Sequence, residues 1–216
     1  MNVLVNAIGA ANRITEPVSK SILAYRAKIG LILIVLSALC VPLAFFPQLV
    51  ADTGSAAFAL LWFVLFIPIL SKVFGLRIFA ALMGLRKEIG ILMGTLAVVH
   101  SMNYFVSPYA AYPWQSGFWI WENSVTFLGY GAVAAFFCFF LLVTSNAVSV
   151  KVMGFRYWKL LHRFAYVVLV FTVLHVVALE YGKHGHVEFG PIAMLGIYFL
   201  GKILEWKGIN FAKSRA

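Results

Sequence analysis

The residues of this chain best suited to chemistry are histidines set inside long apolar stretches. His162 and His175 stand near the two ends of the segment 156–179, and His100 lies within the stretch 88–107. An imidazole in hydrocarbon is costly unless a partner binds it, so each of these side chains needs a partner within the protein. Neutral imidazole, the form that burial favours, is also a good ligand for iron.

His100 and His175 are the pair most suited to bind one metal. They fall at similar depth in two different stretches, and two histidines that face each other across a helix bundle suit a six-coordinate haem iron. A single buried histidine more often hydrogen-bonds to a neighbouring helix. For the pair we favour the ligand interpretation, because no carboxylate lies in the apolar parts of these stretches to form a proton relay.

His162 cannot complete the same site. It is 13 residues from His175, which is about 20 Å along an ideal helix and about 140° away from a common face. The two side chains could not share one iron, so His162 would serve another level of the bundle. His184 and His186 lie beside Lys183 in a short loop and are expected at the surface.

Other kinds of site are disfavoured. Dispersed histidines without an HExxH motif or nearby acids fit no zinc pattern. The sequence has no GxGxxG after a strand, no Walker loop and no GxSxG elbow, so we expect no nucleotide-binding domain and reducing equivalents must come from another molecule. Cys40 and Cys138 lie in apolar runs as packing residues, and no CxxCH motif is present for covalent haem attachment.

The composition indicates an integral membrane protein. Of the 216 residues 63% are hydrophobic and only 11% are charged, whereas soluble domains have about 25% charged residues. The net charge of +10 lies in short loops beside apolar stretches, so it points to membrane topology and a lipid partner, with no nucleic acid. We expect no cleaved signal peptide.

The elements that must position the histidines are six apolar segments near the roughly 20 residues that a bilayer requires. We predict an all-α integral membrane protein, a six-transmembrane-helix bundle with a b-type haem between helices 3 and 5. Residues 1–27 form a cytoplasmic segment that could be an interfacial helix, although Pro17 disfavours one continuous helix; 28–206 form the six-span domain and 207–216 a cytoplasmic tail. The six segments are 29–47, 55–71, 88–107, 124–144, 159–180 and 187–206.

The basic residues predict the orientation. Sixteen of the 17 lysines and arginines fall on one side of a six-span arrangement, and only Lys183 falls on the other. The positive-inside rule therefore places both termini in the cytoplasm. We expect the membrane to be a bacterial inner membrane. The opposite side has one long loop, Ser107 to Asn123, rich in tryptophan and tyrosine. It is either an interfacial aromatic belt or a lid or docking surface beside a redox site.

Two stretches carry a family resemblance. Residues 85–105, LRKEIGILMGTLAVVHSMNYF, and 154–177, GFRYWKLLHRFAYVVLVFTVLHVV, resemble the two signature regions of the ferric-reductase-like transmembrane domain family. The spacing of His162 and His175 is the most specific element. Within the family the chain is most similar to the MsrQ branch, small haem-b membrane subunits that pass electrons to the periplasmic methionine sulfoxide reductase MsrP and lack an FAD/NADPH domain. Residues 144–162 resemble the same branch.

The resemblance implies a ligand set. Larger relatives carry two ligands about 14 residues apart on the third helix, and here the residue 14 before His100 is Arg86. The implied outer haem pair is His100 and His175, while the inner position keeps only His162. We therefore expect one haem b and leave a second one open. The segment 122–129 reads ENSVTFLG where the MsrQ branch often has a basic Arg-Pro-Tyr motif.

The expected function is transmembrane electron transfer. A cytoplasmic flavin reductase, free reduced flavin (FMN or FAD) or a membrane quinol would donate electrons, and an extracytoplasmic protein such as MsrP would accept them. Arg86, Arg156 and Lys159 could attract a flavin phosphate or an acidic partner, or could simply fix the topology. No catalytic residue is expected, because two axial histidines leave the iron no open position. The alternatives are a ferric or other metal or oxidant reductase of this family, and a non-haem scaffold or transporter.

Overall fold

A computed structural model of the chain describes residues 2–106 and 127–212, and every regular element in those two ranges is helical. Short 3₁₀ turns at Val41–Phe45, Pro47–Leu49, Met83–Leu85 and His162–Phe164 connect several of the helices. The α-helices of the described ranges are α1 Asn2–Ala24, α2 Arg26–Cys40, α3 Val50–Lys72, α4 Arg77–Leu82, α5 Arg86–Val106, α6 Phe127–Val143, α7 Ala147–Met153, α8 Phe155–Leu161, α9 Ala165–His184 and α10 Phe189–Trp206.

Several of these helices can cross a bilayer. By length and composition the described residues contain four candidate spans, and a fifth if α6 and α7, which meet at an angle of 91°, form one broken span. The helix α5 holds the predicted third segment but is not among the candidates. Each predicted apolar segment thus falls on a helix where it is described, while the count of six spans stays a prediction. The four candidates are Arg26–Phe45, Val50–Lys72, Phe155–Gly182 and Phe189–Trp206.

Five helices, α3, α5, α6, α9 and α10, contact one another in a closed ring. The most extensive contacts join α3 to α5 and α6 to α9; α5 also contacts α6, and α10 contacts both α9 and α3. Helix α2 packs on the outside of α5. In lipid such packing depends on close van der Waals contact, which small residues allow. The main core cluster combines α3, α6, α9 and α10 and contains Leu61, Trp62, Leu65, Ile69, Cys138, Val168, Leu169, Val173 and Tyr198.

Hydrogen bonds join the end of helix α10 to the end of α3. Glu205 accepts hydrogen bonds from Lys72 at 2.8 Å and from Lys202 at 2.6 Å. Just beyond α10, the backbone N–H of Phe211 donates to the carbonyl of Val73 at 2.8 Å. These contacts close the ring between its last helix and its first.

Helix α1 runs without interruption through Pro17, although the sequence disfavoured one continuous helix there. Tertiary contacts hold the helix in place. The Asn12 side chain donates to the Gly75 carbonyl at 3.0 Å and accepts from the Arg77 backbone N–H at 2.8 Å. The side chain of Ser21 donates to the Pro17 carbonyl at 3.1 Å. A proline removes one intrahelical hydrogen bond, and the two bonds that Asn12 makes with Gly75 and Arg77 offset that loss.

Helices α7 and α8 form the turn that leads to His162. Asn146 caps α7, because its side-chain oxygen accepts from the backbone N–H of Ser149 at 2.8 Å. Gly154 joins α7 to α8 with φ of 75°, a conformation that glycine adopts without steric cost. Helix α8 then continues through the 3₁₀ turn His162–Phe164 into α9. His162 therefore lies at a junction rather than in the middle of a helix.

Candidate functional site

The structure brings His100 of α5 and His175 of α9 together across the bundle. Their ring centroids are 6.2 Å apart and their planes meet at 76°. A metal–imidazole nitrogen bond is about 2 Å long, and the ring centre lies roughly 1 Å further out, so two imidazoles on opposite sides of one metal have centroids about 6 Å apart. The observed separation agrees with this distance. The two histidines therefore fit the axial positions of one haem.

A hydrogen bond selects the nitrogen that His100 can offer to a metal. Its Nδ1 lies 2.8 Å from the backbone carbonyl oxygen of Val50, at the start of α3. A carbonyl can only accept, so Nδ1 carries the proton and Nε2 carries the lone pair. Metal-ligating histidines commonly have such an outer hydrogen bond, which fixes the tautomer and the ring orientation.

Each of the two imidazoles rests against a glycine of a neighbouring helix. A Cβ atom on Gly54 of α3 would lie 2.7 Å from Nδ1 of His100. A Cβ atom on Gly131 of α6 would lie 2.7 Å from Nδ1 of His175. Real Cβ atoms do not approach other heavy atoms so closely, so each ring occupies space that any other residue would fill. We call His100, His175, Gly54 and Gly131 the paired-histidine level.

The donor set suits a metal that arrives with most of its own ligands. Among residues 2–106 and 127–212, no group of three or more His, Cys, Asp or Glu side chains is placed to hold a metal ion. Two histidines alone complete a haem iron, whose other four ligands come from the macrocycle. The pair therefore has the number of ligands that a haem iron takes from a protein.

His162 lies in a different environment. Its ring is 4.1 Å, centroid to centroid, from that of Trp158, and its Nε2 is 3.4 Å from Oγ1 of Thr144. The Trp158 indole N–H donates to the Thr144 carbonyl at 2.9 Å, which fixes the indole under the imidazole. The Arg86 guanidinium is close enough to interact electrostatically with His162 and with Tyr198. We call His162, Trp158, Thr144, Arg86 and Tyr198 the single-histidine level.

The three predicted cofactor-binding cations are not equivalent. Arg86 is half-buried, and its Nε donates to the Val64 carbonyl at 3.2 Å. Arg156 and Lys159 are exposed on α8. The structure therefore places one of the three inside the bundle and the other two on its surface.

Several residues that line these levels escaped the sequence reasoning. They include Gly54, Gly131 and the backbone of Val50. Beside the single-histidine level, Trp62 is only 5% exposed and its ring centroid is 6.3 Å from that of Tyr198. In the described part of the chain the Trp62 indole N–H has no hydrogen-bond partner. A glycine in an apolar helix signals close approach of another element, but the sequence does not say which element.

The remaining predictions concern the periphery. His184 and His186 are exposed, as expected. The aromatic loop Ser107 to Asn123 lies outside the described residues. Glu88, at the start of α5, has its Oε2 buried without a hydrogen-bond partner among the described residues. It is twelve residues from His100, about 18 Å along the helix, so it does not face the paired-histidine level.

A comparison with protein families gives a match over this part of the chain. The family described as ferric reductase like transmembrane component matches residues 53–173, more than half of the chain. The chain belongs to this family. The matched range includes Gly54, His100, Gly131 and His162 and ends two residues before His175. Comparisons with curated proteins and with solved structures gave no significant match.

Membership identifies a multi-pass membrane protein whose family is associated with membrane electron transfer. Proteins of the ferric reductase-like family usually bind haem. The apolar helices and the histidine pair agree with that assignment.

Proposed function

We propose that this ferric reductase-like protein transfers electrons across the membrane through haem b bound by His100 and His175. The observation that carries the proposal is the 6.2 Å separation of the two imidazole rings on different helices. The hydrogen bond from Nδ1 of His100 to the Val50 carbonyl supports it, because this bond leaves Nε2 as the ligating nitrogen.

The chain's own residues hold and insulate the cofactor. His100 and His175 would hold a haem from opposite helices, and the Val50 carbonyl keeps the His100 ring in one orientation. When bound, the haem would supply a one-electron carrier. With two histidine ligands from the protein it would offer no site to substrate, so the acceptor would be a separate molecule.

The proposed direction is from the cytoplasm outward. By the positive-inside rule, the basic residues of the loops support a cytoplasmic location for both termini, and the membrane of this proposal is a bacterial inner membrane. The exposed Arg156 and Lys159 would then face the cytoplasm, where cations attract the phosphate of FMN or FAD or the acidic face of a flavin reductase. A membrane quinol is the other proposed donor.

The single-histidine level lies on the donor side in this arrangement. His162 either binds a second haem or contacts the edge of an incoming flavin or quinol. The Arg86 cation beside it favours a partner that carries negative charge, such as a phosphate or carboxylate.

For the acceptor we propose an extracytoplasmic reductase such as MsrP, which makes the protein MsrQ-like. The resemblance of residues 85–105 and 154–177 supports this choice. Ferric chelates or other oxidants are the competing acceptors within the family.

The first experiment is a spectrum of the purified protein. We expect a red protein with a low-spin haem that dithionite reduces and air reoxidises. A colourless protein that folds and cannot be reconstituted with haem would refute the proposal in favour of a non-haem scaffold or transporter. If the protein is red, its reoxidation is followed with MsrP plus methionine sulfoxide, with a ferric chelate, and with neither. Rapid reoxidation only by MsrP supports the MsrQ-like role, whereas rapid reoxidation only by the chelate supports a ferric reductase.

Orientation is tested with a membrane-impermeant oxidant. We expect it to reoxidise the haem quickly in intact spheroplasts and slowly in inverted vesicles. Equal access from both faces would contradict the outward placement of the histidine pair.

A further inference from the structure

We infer that Gly54 and Gly131 are positioning residues that seat the two imidazoles against neighbouring helices and so determine which nitrogen each presents to the metal. This inference rests on the proposed haem site. It assigns a function to two residues that carry no chemistry of their own.

The His100 half is described atom by atom. In an α-helix the carbonyl of residue 50 accepts the backbone N–H of residue 54, four positions later. The same Val50 carbonyl lies 2.8 Å from Nδ1 of His100. The imidazole reaches it by lying over Gly54, where a Cβ would be 2.7 Å from both Nδ1 and Cε1. The hydrogen bond therefore requires that residue 54 have no side chain.

The His175 half repeats this geometry. A Cβ on Gly131 would lie 2.7 Å from Nδ1, 3.0 Å from Cε1 and 3.4 Å from Cγ of His175. The residue four positions before Gly131 is Phe127, the first residue of α6. Its backbone carbonyl therefore has the same position relative to Gly131 that the Val50 carbonyl has relative to Gly54.

The two halves also match in their helix order. In each, the glycine lies near the start of one helix and the histidine lies on the helix that packs most closely against it, α5 on α3 and α9 on α6. Two seats of the same construction thus face each other across the bundle. In each, Nδ1 lies against helix backbone, so Nε2 is the nitrogen that the proposed haem would take.

An added methyl group should act on the imidazole rather than on the fold. Rotation of a histidine side chain to another rotamer is easier than displacement of a packed helix. The variants Gly54→Ala and Gly131→Ala should therefore turn the ring away from its seat. Gly90→Ala on α5 and Gly182→Ala on α9 are matched controls, since a Cβ at either position meets nothing within 4 Å.

The experiment measures haem affinity, spin state and midpoint potential in the four glycine variants. Loss of an outer-shell partner typically weakens metal binding by about 10- to 100-fold. We expect a loss of that size in both Gly54→Ala and Gly131→Ala, with high-spin haem in the fraction that remains, and wild-type values in both controls. Wild-type affinity, spin state and potential in both seat variants would overturn the inference.

A double-mutant cycle keeps the test valid if a seat variant is unstable. Melting temperatures of haem-free protein are compared for Gly54→Ala with and without His100→Ala, and for Gly131→Ala with and without His175→Ala. If the added methyl clashes with the imidazole, removal of the ring should abolish the loss of melting temperature that the methyl causes. In the mismatched double variants, Gly54→Ala with His175→Ala and Gly131→Ala with His100→Ala, the two changes in melting temperature should simply add. Additivity within the matched pairs would overturn the inference. Because the cycle needs no haem, it also separates failure of the seats from failure of the proposed haem site.

Discussion

The paired-histidine level and the single-histidine level differ in the size of the residues beside their imidazoles, which are glycines at the first and a tryptophan at the second. At the first, two imidazoles meet across the bundle and each lies on a glycine. At the second, the imidazole ring lies 4.1 Å, centroid to centroid, from that of Trp158. The large Tyr198, which also interacts with Arg86, is almost fully buried. The glycines let the imidazoles of His100 and His175 lie directly against helix backbone, and this is the level at which the proposed haem would bind between the two rings. At the other level the ring beside the imidazole is the indole of Trp158.

The two levels also differ in charge. Arg86 brings a cation beside His162, whereas the rings of His100 and His175 are held by glycines and a backbone carbonyl. In a low-dielectric bundle a fixed cation disfavours a second positive group and favours an anion. In the proposed function, the paired-histidine level would hold the electron and the single-histidine level would meet a negatively charged donor.

The largest expected effect comes from removing a ligand. His100→Ala or His175→Ala should lose most of the haem or convert it to a high-spin form, a loss beyond the roughly 10- to 100-fold cost of an outer-shell change. Absorption spectra of the purified variants measure this, with exposed His184→Ala as the control. If both single variants keep a full low-spin spectrum, the two levels do not differ in the way proposed.

A smaller effect is expected at His162. His162→Ala should leave the haem of the paired-histidine level in place, because His162 is 13 residues from His175 and cannot bind the same metal. It should slow reduction of that haem by a cytoplasmic-side donor several-fold. Stopped-flow reduction in inverted vesicles gives the rate. An unchanged rate together with unchanged haem stoichiometry would make His162 a structural residue.

Charge reversal should distinguish the half-buried Arg86 from the exposed Arg156. Arg156→Glu should slow reduction by a flavin donor by up to about tenfold at low salt, and the effect should vanish at high salt because exposed charges are screened. Arg86→Glu should slow it at both salt concentrations, since Arg86 is half-buried and hydrogen-bonded to Val64. Equal salt dependence in the two variants would show that burial does not distinguish them.

The smallest effect is expected far from both levels, where α1 meets α4. The hydrogen bond from Lys20, with help from the charges of Lys20 and Arg77, lowers the pKa of Glu16. A lowered pKa contributes stability that is present above the usual glutamate pKa of about 4.3 and is lost as pH falls through the lower value in the folded protein. Because the pair is exposed, Glu16→Gln should reduce the melting temperature only slightly at neutral pH, and the difference from wild type should disappear in acid.

Much of this arrangement was predictable because a bilayer imposes helices of known length on apolar sequence. The similar depth of His100 and His175 followed from the same reasoning. The partners Gly54 and Gly131 did not, because they depend on how distant helices are rotated against each other. The uninterrupted α1 was missed for a related reason: Pro17 argues locally against a helix, while Asn12 and Glu16 bind α4 residues some sixty positions later. Tertiary contacts override local preference in both cases.

The link between α10 and α3 bears on how the protein is made. Lys72 and Glu205 are separated by 133 positions in the chain, and ribosomes add about 5–20 residues per second. After α3 has been synthesised, on the order of ten seconds pass before its partner exists. During that time the rings of Trp62 and Phe66 lack Tyr198, the aromatic partner from α10 on which they later pack. The ring of helices is therefore sealed late in biogenesis, and a pause in translation between α3 and α10 would lengthen the period in which that aromatic surface is open.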